Sequence, residues 1–411
     1  MPWARTITVG LTALGALTTG LTSASATATP SDAAPPTAIG APAEAIRTAG
    51  PAPATAIPGS YIVTLKDTAP RADSAAGRAL AARYGATVKR TYHQALNGYS
   101  VRASAAQAQR MAADPAVASV TADRAFRVTG TQSRPPSWGL DRIDQRKLPL
   151  DRSYTYPAGA GAGVTAYILD SGVRITHQDF GGRASHGYDA VEDDAIAQDG
   201  NGHGTHVAAI AAGSRYGVAK KAKIVAVRVL DDAGSGTTEQ IVAGIDWVTR
   251  HAAKPAVANM SLSGGADAVV DQAVRKSIAS GVTYTVAAGN DAGDASAHSP
   301  ARVREAITVG ATTERDSRDS LSNYGAALDL FAPGESIASA WNASDTSTVT
   351  DSGTSMAAPH VAGAAALHLA AHPTARPDQV AAALTAEAIT GLVTRPGAGS
   401  PNRLLTLKPP R

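Results

Sequence analysis

The chain has 411 residues, 44% of them hydrophobic and 4% aromatic, with a formal net charge of +3 and no cysteine. That is enough apolar chain for one large globular domain plus a smaller one. The absence of cysteine excludes a disulfide-held scaffold, so the core or bound metal ions must hold the fold. The basic residues form no long run, so no nucleic-acid partner is expected.

Residues 1–26 carry Arg5, then a small-residue apolar run ending in Ala24-Ser25-Ala26, the pattern of a secretory signal peptide. The run is shorter than a bilayer span of about 20 apolar residues, and no later stretch is long enough. A soluble, secreted, extracellular product with no membrane segment is expected. Residues 27–57 are rich in Ala, Pro and Thr, have few large apolar side chains, and read as a linker.

Over residues 58–130 the pattern changes. Strands are expected at 60–66, 87–94, 98–103 and 117–130, with helices at 71–85 and 104–115 and a hairpin around Asn97-Gly98. The order βαββαβ predicts a small α+β ferredoxin-like module, marginally stable alone.

From 131 to 411 short Val- and Ile-rich runs recur at 164–170, 223–231, 256–263, 281–290, 306–312 and 328–334. Helices are expected between them, among them 237–251, with Thr237 and Gln240 at capping-box spacing, and 267–280, stopped by Gly281. The alternation predicts an α/β domain: a mostly parallel sheet with helices on both faces and its ligand site at the C-terminal strand ends. Asp170, Ser261 and Asn290 close three of the runs. Each alone also suits a turn.

Two helix starts add further polar residues. NGHGTHVAAIAAG (201–213) places His203 in a first turn, and SGTSMAAPHVAG (352–363) places Ser355 among small residues, with Pro359 expected in the first turn, where a missing N–H costs little. An isolated serine there reads equally as a capped helix start. Together the residues make chemical sense. A serine hydroxyl is a poor nucleophile at neutral pH, a neutral imidazole can take its proton, and a carboxylate behind the imidazole fixes the tautomer. A developing oxyanion needs donors, for which the Ser355 N–H and the Asn290 amide are candidates.

DSGV (170–173), NGHGTHVA (201–208), NMSL (259–262), AAGN (287–290) and GTSMAAPHVAG (353–363), in that order, resemble the subtilisin-like serine proteases, and within them the proteinase K and aqualysin branch. The resemblance extends to PSWGLDRID (136–144), SNYG (322–325) and PNRLL (401–405). It implies a triad of Asp170, His203 and Ser355 with Asn290 as oxyanion donor. It implies that Ser261, Leu262, Ser263 and Gly264 pair with substrate backbone, and that Ala287, Ala288 and Gly289 line the primary specificity pocket. It makes residues 58–130 an inhibitory propeptide and 131–411 the peptidase domain. It also implies a structural calcium ion held by the Asp329 carboxylate and the Arg304 and Ala306 carbonyls, with no cofactor for catalysis. Ser263 departs from the family, which has Gly there, and a narrowed cleft is expected; Ala209 also stands where the family has Gly, a small packing change.

His206 lacks the spacing of a zinc-binding histidine pair, and GAGAG (159–163) precedes a strand where a dinucleotide loop must follow one. The expected function is a secreted, monomeric endopeptidase of broad specificity acting on proteins and peptides through an acyl-enzyme. It is made as a precursor inhibited by its own propeptide, and it cuts itself near Gly130–Thr131. The small pocket lining suggests apolar or aromatic residues before the cut. A catalytically dead binding protein and a narrow processing protease are the competing readings; four intact site residues argue against the first.

Overall fold

The computed structural model describes residues 56–94, 96–124 and 129–407. The expected signal peptide and most of the expected linker lie outside the described residues. Among the described residues no helix is long and apolar enough to cross a membrane.

The first module runs β1 (Ala56–Leu65), α1 (Ala75–Arg83), β2 (Thr87–Tyr92), β3 (Gly98–Arg102), α2 (Ala105–Ala112) and β4 (Val117–Arg124). Its antiparallel sheet has the order β2-β3-β1-β4, the ferredoxin-like arrangement expected from the element order. Ser74 caps α1, and Ser104 with Gln107 forms a capping box on α2. Val63, Leu65, Leu80, Tyr99, Val101 and Met111 form its buried core.

Two boundaries differ from expectation. β1 begins at Ala56, inside the stretch read as linker, and reaches its regular register with β4 only after an irregularity between Ala56 and Tyr61. Of the expected strand 117–130, residues 125–128 lie outside the described residues, and the two described parts have different partners. β4 ends at Arg124, whereas β5 (Thr129–Ser133) pairs antiparallel with β6 (Ser153–Pro157). Gly130 stands opposite Tyr156, whose ring a Cβ at 130 would meet at 2.8 Å. The polar run Thr129-Gly130-Thr131-Gln132 has no apolar alternation to hold it on the first sheet.

The larger region continues with α3 (Trp138–Ile143), β7 (Thr165–Asp170), β8 (Ala184–Asp189), α4 (His203–Ala212), β9 (Lys223–Arg228), α5 (Thr238–His251), β10 (Ala256–Met260), β11 (Gly264–Gly265), α6 (Ala268–Ala279), β12 (Thr283–Ala287), β13 (His298–Ser299), β14 (Ile307–Thr312), β15 (Leu330–Pro333), β16 (Ile337–Ala340), β17 (Thr348–Asp351), α7 (Thr354–Ala371), α8 (Pro377–Glu387), β18 (Ile389–Thr390) and β19 (Arg403–Leu404). Among the described residues nine strands form one sheet in the order β18-β19-β15-β14-β12-β10-β7-β9-β8. Its pairs are parallel except β18–β19 at one edge.

The pleat of β7 shows how both faces are covered. Ala166 and Ile168 pack with Val207 and Ile210 of α4 and Val361 and Ala365 of α7. Tyr167 and Leu169 face the other way, into Ile245 and Val248 of α5 and Val270 and Val274 of α6. α7 is apolar nearly all round and buried accordingly. Its small residues allow close approach: a Cβ on Gly363 would meet Val218 Cβ at 2.5 Å. Arg142 of α3, fully buried, is held by a bidentate pair with Asp316 at 2.6 and 3.2 Å.

Pro359 corrects a sequence expectation. α7 starts at Thr354, so the proline falls in the second turn rather than the first. The N–H it lacks would have bonded the Ser355 carbonyl, four residues back. That carbonyl instead accepts the Ser261 hydroxyl at 2.7 Å.

Two buried histidines make stability depend on pH. His206 Nε2 donates to the Ile337 and Val349 carbonyls at 3.1 and 3.2 Å, and His360 Nδ1 donates to the Met356 carbonyl at 2.8 Å. Burial pushes both imidazoles down from 6.5 to about 4. The unfolded chain takes up their protons below about 6.5 and the folded chain only near 4. The stability they contribute is therefore whole above pH 6.5 and is lost between 6.5 and 4. Urea midpoints of the Ser355→Ala protein are expected to drop across that window, and less so when His360→Gln is added. An unchanged slope in the double variant would remove this account.

Candidate active site

The parallel sheet brings its C-terminal strand ends to one edge, and that edge holds the candidate residues. Asp170 closes β7, Ser261 follows β10 directly, and Asn290 lies three residues past β12. Asp170 is fully buried. Its Oδ1 lies 2.7 Å from His203 Nδ1 and also accepts from the Ser171 N–H at 2.8 Å. Its Oδ2 is buried and has no hydrogen-bond partner among the described residues. His203 is the first residue of α4 and is partly exposed. Burial alone would lower its pKa; the charge and hydrogen bond of Asp170, with Asp351 and Asp199 nearby, hold it above the ordinary 6.5.

Ser355 is the second residue of α7, where helix N–H groups lack an intrahelical acceptor. Gly353 before the helix has φ 141°, and a Cβ there would crowd the Asn290 amide at 3.2 Å. The Ser355 hydroxyl donates to the Ser261 carbonyl at 3.2 Å, while the Ser261 hydroxyl donates to the Ser355 carbonyl. Among the described residues no hydrogen bond joins Ser355 to His203. Asn290 is oriented by Thr354, whose N–H and hydroxyl both donate to Asn290 Oδ1 at 2.9 Å, leaving Nδ2 to donate elsewhere. Behind Ser261 lies a buried polar chain: Thr285 Oγ1 donates to Asn259 Oδ1, and Asn259 Nδ2 donates to Ser261 Oγ, each at 2.9 Å.

Two cavities meet along the stretch Ser261–Gly265. One, of about 630 Å³, also takes in Asn201, His203, Leu230, Ile241, Asp267 and Val270. The other, of about 400 Å³, takes in Ala287, Asn290, Asp291, His298, Thr354 and Ser355. Ser261, Leu262, Ser263 and Gly264 line both cavities. β11, at Gly264–Gly265, is already paired antiparallel on one side with β13. The residues expected to line the specificity pocket divide. Ala287 reaches the smaller cavity, whereas the Ala288 side chain turns into a core with Ala295, Leu328 and Phe331. Neighbours in an extended chain face opposite ways. Gly289 is tied by its N–H to Thr354 Oγ1 at 3.1 Å, and a Cβ on it would meet Ser263 Oγ at 3.0 Å.

The cavity beside Ser355 also has a charged wall that the sequence reading missed. His298 Nε2 lies 3.6 Å from Asp291 Oδ2, and Ser263 Oγ lies 3.5 Å from His298 Nδ1. Asp291 directly follows Asn290, a signal that was available. His298 reaches the site only through the β11–β13 pairing, which no local pattern announces.

Comparison with known proteins settles the family. A profile of the subtilase family matches residues 161–404, and one of peptidase inhibitor I9 matches residues 60–129. The chain belongs to the subtilase family. The extracellular serine proteinase of Thermus sp. is 51% identical over 369 residues, covering 85% of this chain and 90% of that one. Alkaline serine exoprotease A of Vibrio alginolyticus is 47% identical over 327 residues, 78% of this chain and 60% of that one. A crystal structure of a cold-adapted subtilisin-like serine proteinase matches with a TM-score of 0.65 at 52% identity, over 66% of this chain and 98% of that one. This subtilase is therefore a subtilisin-like serine proteinase that carries an inhibitor-type propeptide.

Proposed function

We propose that this subtilase is a secreted, monomeric endopeptidase of broad specificity, made as a precursor that cuts itself near Gly130–Thr131 and is inhibited by residues 58–130 until they are degraded. The observation that carries the reading is the 2.7 Å contact of His203 Nδ1 with buried Asp170, on the cleft that also holds Ser355 and Asn290.

The chemistry follows from these residues. Ser355 Oγ bonds to the scissile carbonyl carbon as its proton passes to His203 Nε2, and the carbonyl π electrons move onto oxygen. Asp170 holds the imidazole tautomer and stabilises the imidazolium. The oxyanion takes hydrogen bonds from Asn290 Nδ2 and the Ser355 N–H. Collapse breaks the C–N bond, and the leaving amine takes the proton from His203. Water then repeats the sequence on the acyl-enzyme and releases Ser355. Substrate in extended form pairs along Ser261–Gly264 on the side away from β13, with its side chains reading the two cavities. Denatured casein and a peptide library test this reading. Many cuts, mostly after large apolar and aromatic residues, are expected. Cuts only after basic residues, or at one site, would overturn broad specificity, and intact casein would favour a binding protein.

Calcium fits one site. Asp329 Oδ2 accepts from the Thr308 N–H at 2.9 Å, and burial pushes its carboxyl up to about 6. Among the described residues no cation pairs with Asp329 at ion-pair distance, and no three acidic, histidine or cysteine side chains are grouped so as to hold a metal ion by themselves. A cation here would draw on this carboxylate and on the backbone carbonyls of Arg304 and Ala306, and would add to the attraction that Arg403 exerts on it. A chelator is expected to lower the melting temperature of the Ser355→Ala protein by several degrees, and calcium to restore it. Loss of the chelator effect in Asp329→Asn assigns the site; an equal effect in that variant would place the ion elsewhere.

A further inference from the structure

We propose that Asp199, outside the triad, is the positioning residue that fixes Asp170 and His203 in register with each other; this rests on the triad reading above. Asp199 is buried in the loop ahead of α4. Its Oδ1 accepts from the Ser171 hydroxyl at 2.9 Å and from the Asn201 and Gly202 N–H groups at 3.0 and 2.8 Å. Its Oδ2 accepts from the Thr205 N–H at 2.9 Å and from the Thr205 hydroxyl. Ser171 follows Asp170 directly, and its hydroxyl accepts from the Gly204 N–H at 3.0 Å, the residue after His203. Thr205 Oγ1 accepts in turn from the Arg174 N–H at 2.9 Å.

One carboxylate thus clamps the end of the strand that carries Asp170 to the first turn of the helix that carries His203. Helix α4 needs the clamp, because its own N-cap is Gly202, with φ 114° and no capping side chain. No Lys, Arg or His pairs with Asp199 among the described residues, so hydrogen bonds alone satisfy it. Burial pushes its carboxyl up, and the Thr205, Gly202 and Ser171 donors pull it back. Its charge also faces His203, together with Asp170 of β7, Asp351 of β17 and His206 of α4.

An amide cannot replace this carboxylate. Backbone N–H groups approach both oxygens, so either orientation of an asparagine turns its NH₂ onto a backbone donor. A small misplacement of a reacting group costs about 100-fold. In mature enzyme normalised by active-site titration, Asp199→Asn is expected to lower kcat by about 10- to 100-fold with KM little changed. The acid limb of its pH–rate profile is expected to move to lower pH, since one negative charge facing the imidazolium is gone. Ser171→Ala breaks the link but keeps the charge. It should lower kcat without moving the acid limb, and it carries the test if Asp199→Asn does not fold. Variants that lose only melting temperature, with kcat per titrated site and acid limb unmoved, would reduce Asp199 to a loop-folding residue. Hydrolysis surviving in Ser355→Ala would instead break the triad reading itself.

Discussion

Ser355→Ala is expected to lower kcat by about a millionfold and to leave the precursor uncut. The two effects share one cause. Ser355 stands at the start of α7 with its N–H free of a helical acceptor, its carbonyl held by Ser261 Oγ, and its hydroxyl on the rim of the smaller cavity. Removing Oγ removes the atom proposed to form the acyl bond and leaves the backbone contacts in place. The variant should therefore fold and accumulate at full length. Wild type should lose the inhibitor segment and begin near Thr131. Equal cutting of both proteins would make processing external, and hydrolysis by the purified variant would remove Ser355 from the mechanism.

Asp170→Asn is expected to lower kcat at neutral pH by about 10,000-fold while leaving KM nearly unchanged. The substitution changes one buried atom. Asp170 Oδ1 accepts from the Ser171 N–H and faces His203 Nδ1 at 2.7 Å, whereas Oδ2 has no partner among the described residues. An asparagine can satisfy the Ser171 N–H and the imidazole only by leaving its NH₂ buried and unpaired, or it can turn the NH₂ toward the imidazole and select the wrong tautomer. In both cases the imidazolium of the proposed mechanism loses its counter-charge. Asp170 supplies the main attraction that holds His203 above 6.5 against burial, so the acid limb must move to lower pH in the variant. An acid limb that stays in place would show that Asp170 does not face the titrating imidazole.

Much of this site is legible in the sequence because its residues close runs whose physics is plain. Asp170 ends β7, and Ser261 and Asn290 follow the buried strands β10 and β12 by one and three residues, so a parallel sheet must carry all three to one edge. The helix bounds at 237–251 and 267–280 follow from Thr237 with Gln240 and from Gly281, and α5 and α6 lie within them. What escaped depends on contacts between distant segments. β8, with its polar sequence ASHGYD, pairs at the sheet edge where no apolar run is required. β18 and β19 are two-residue strands held by their partners. Pro359 reads as a first-turn residue until Ser261 is seen to take the freed carbonyl. Asp199 reads as one more loop aspartate until the fold brings Ser171 against it.

The most direct measurement is to label the mature protein with a fluorophosphonate and map the adduct by mass spectrometry. The account predicts one adduct per molecule, on Ser355, formed with complete loss of peptide hydrolysis and far more slowly in His203→Ala. An adduct on another serine, or full hydrolysis by protein labelled at Ser355, would contradict it.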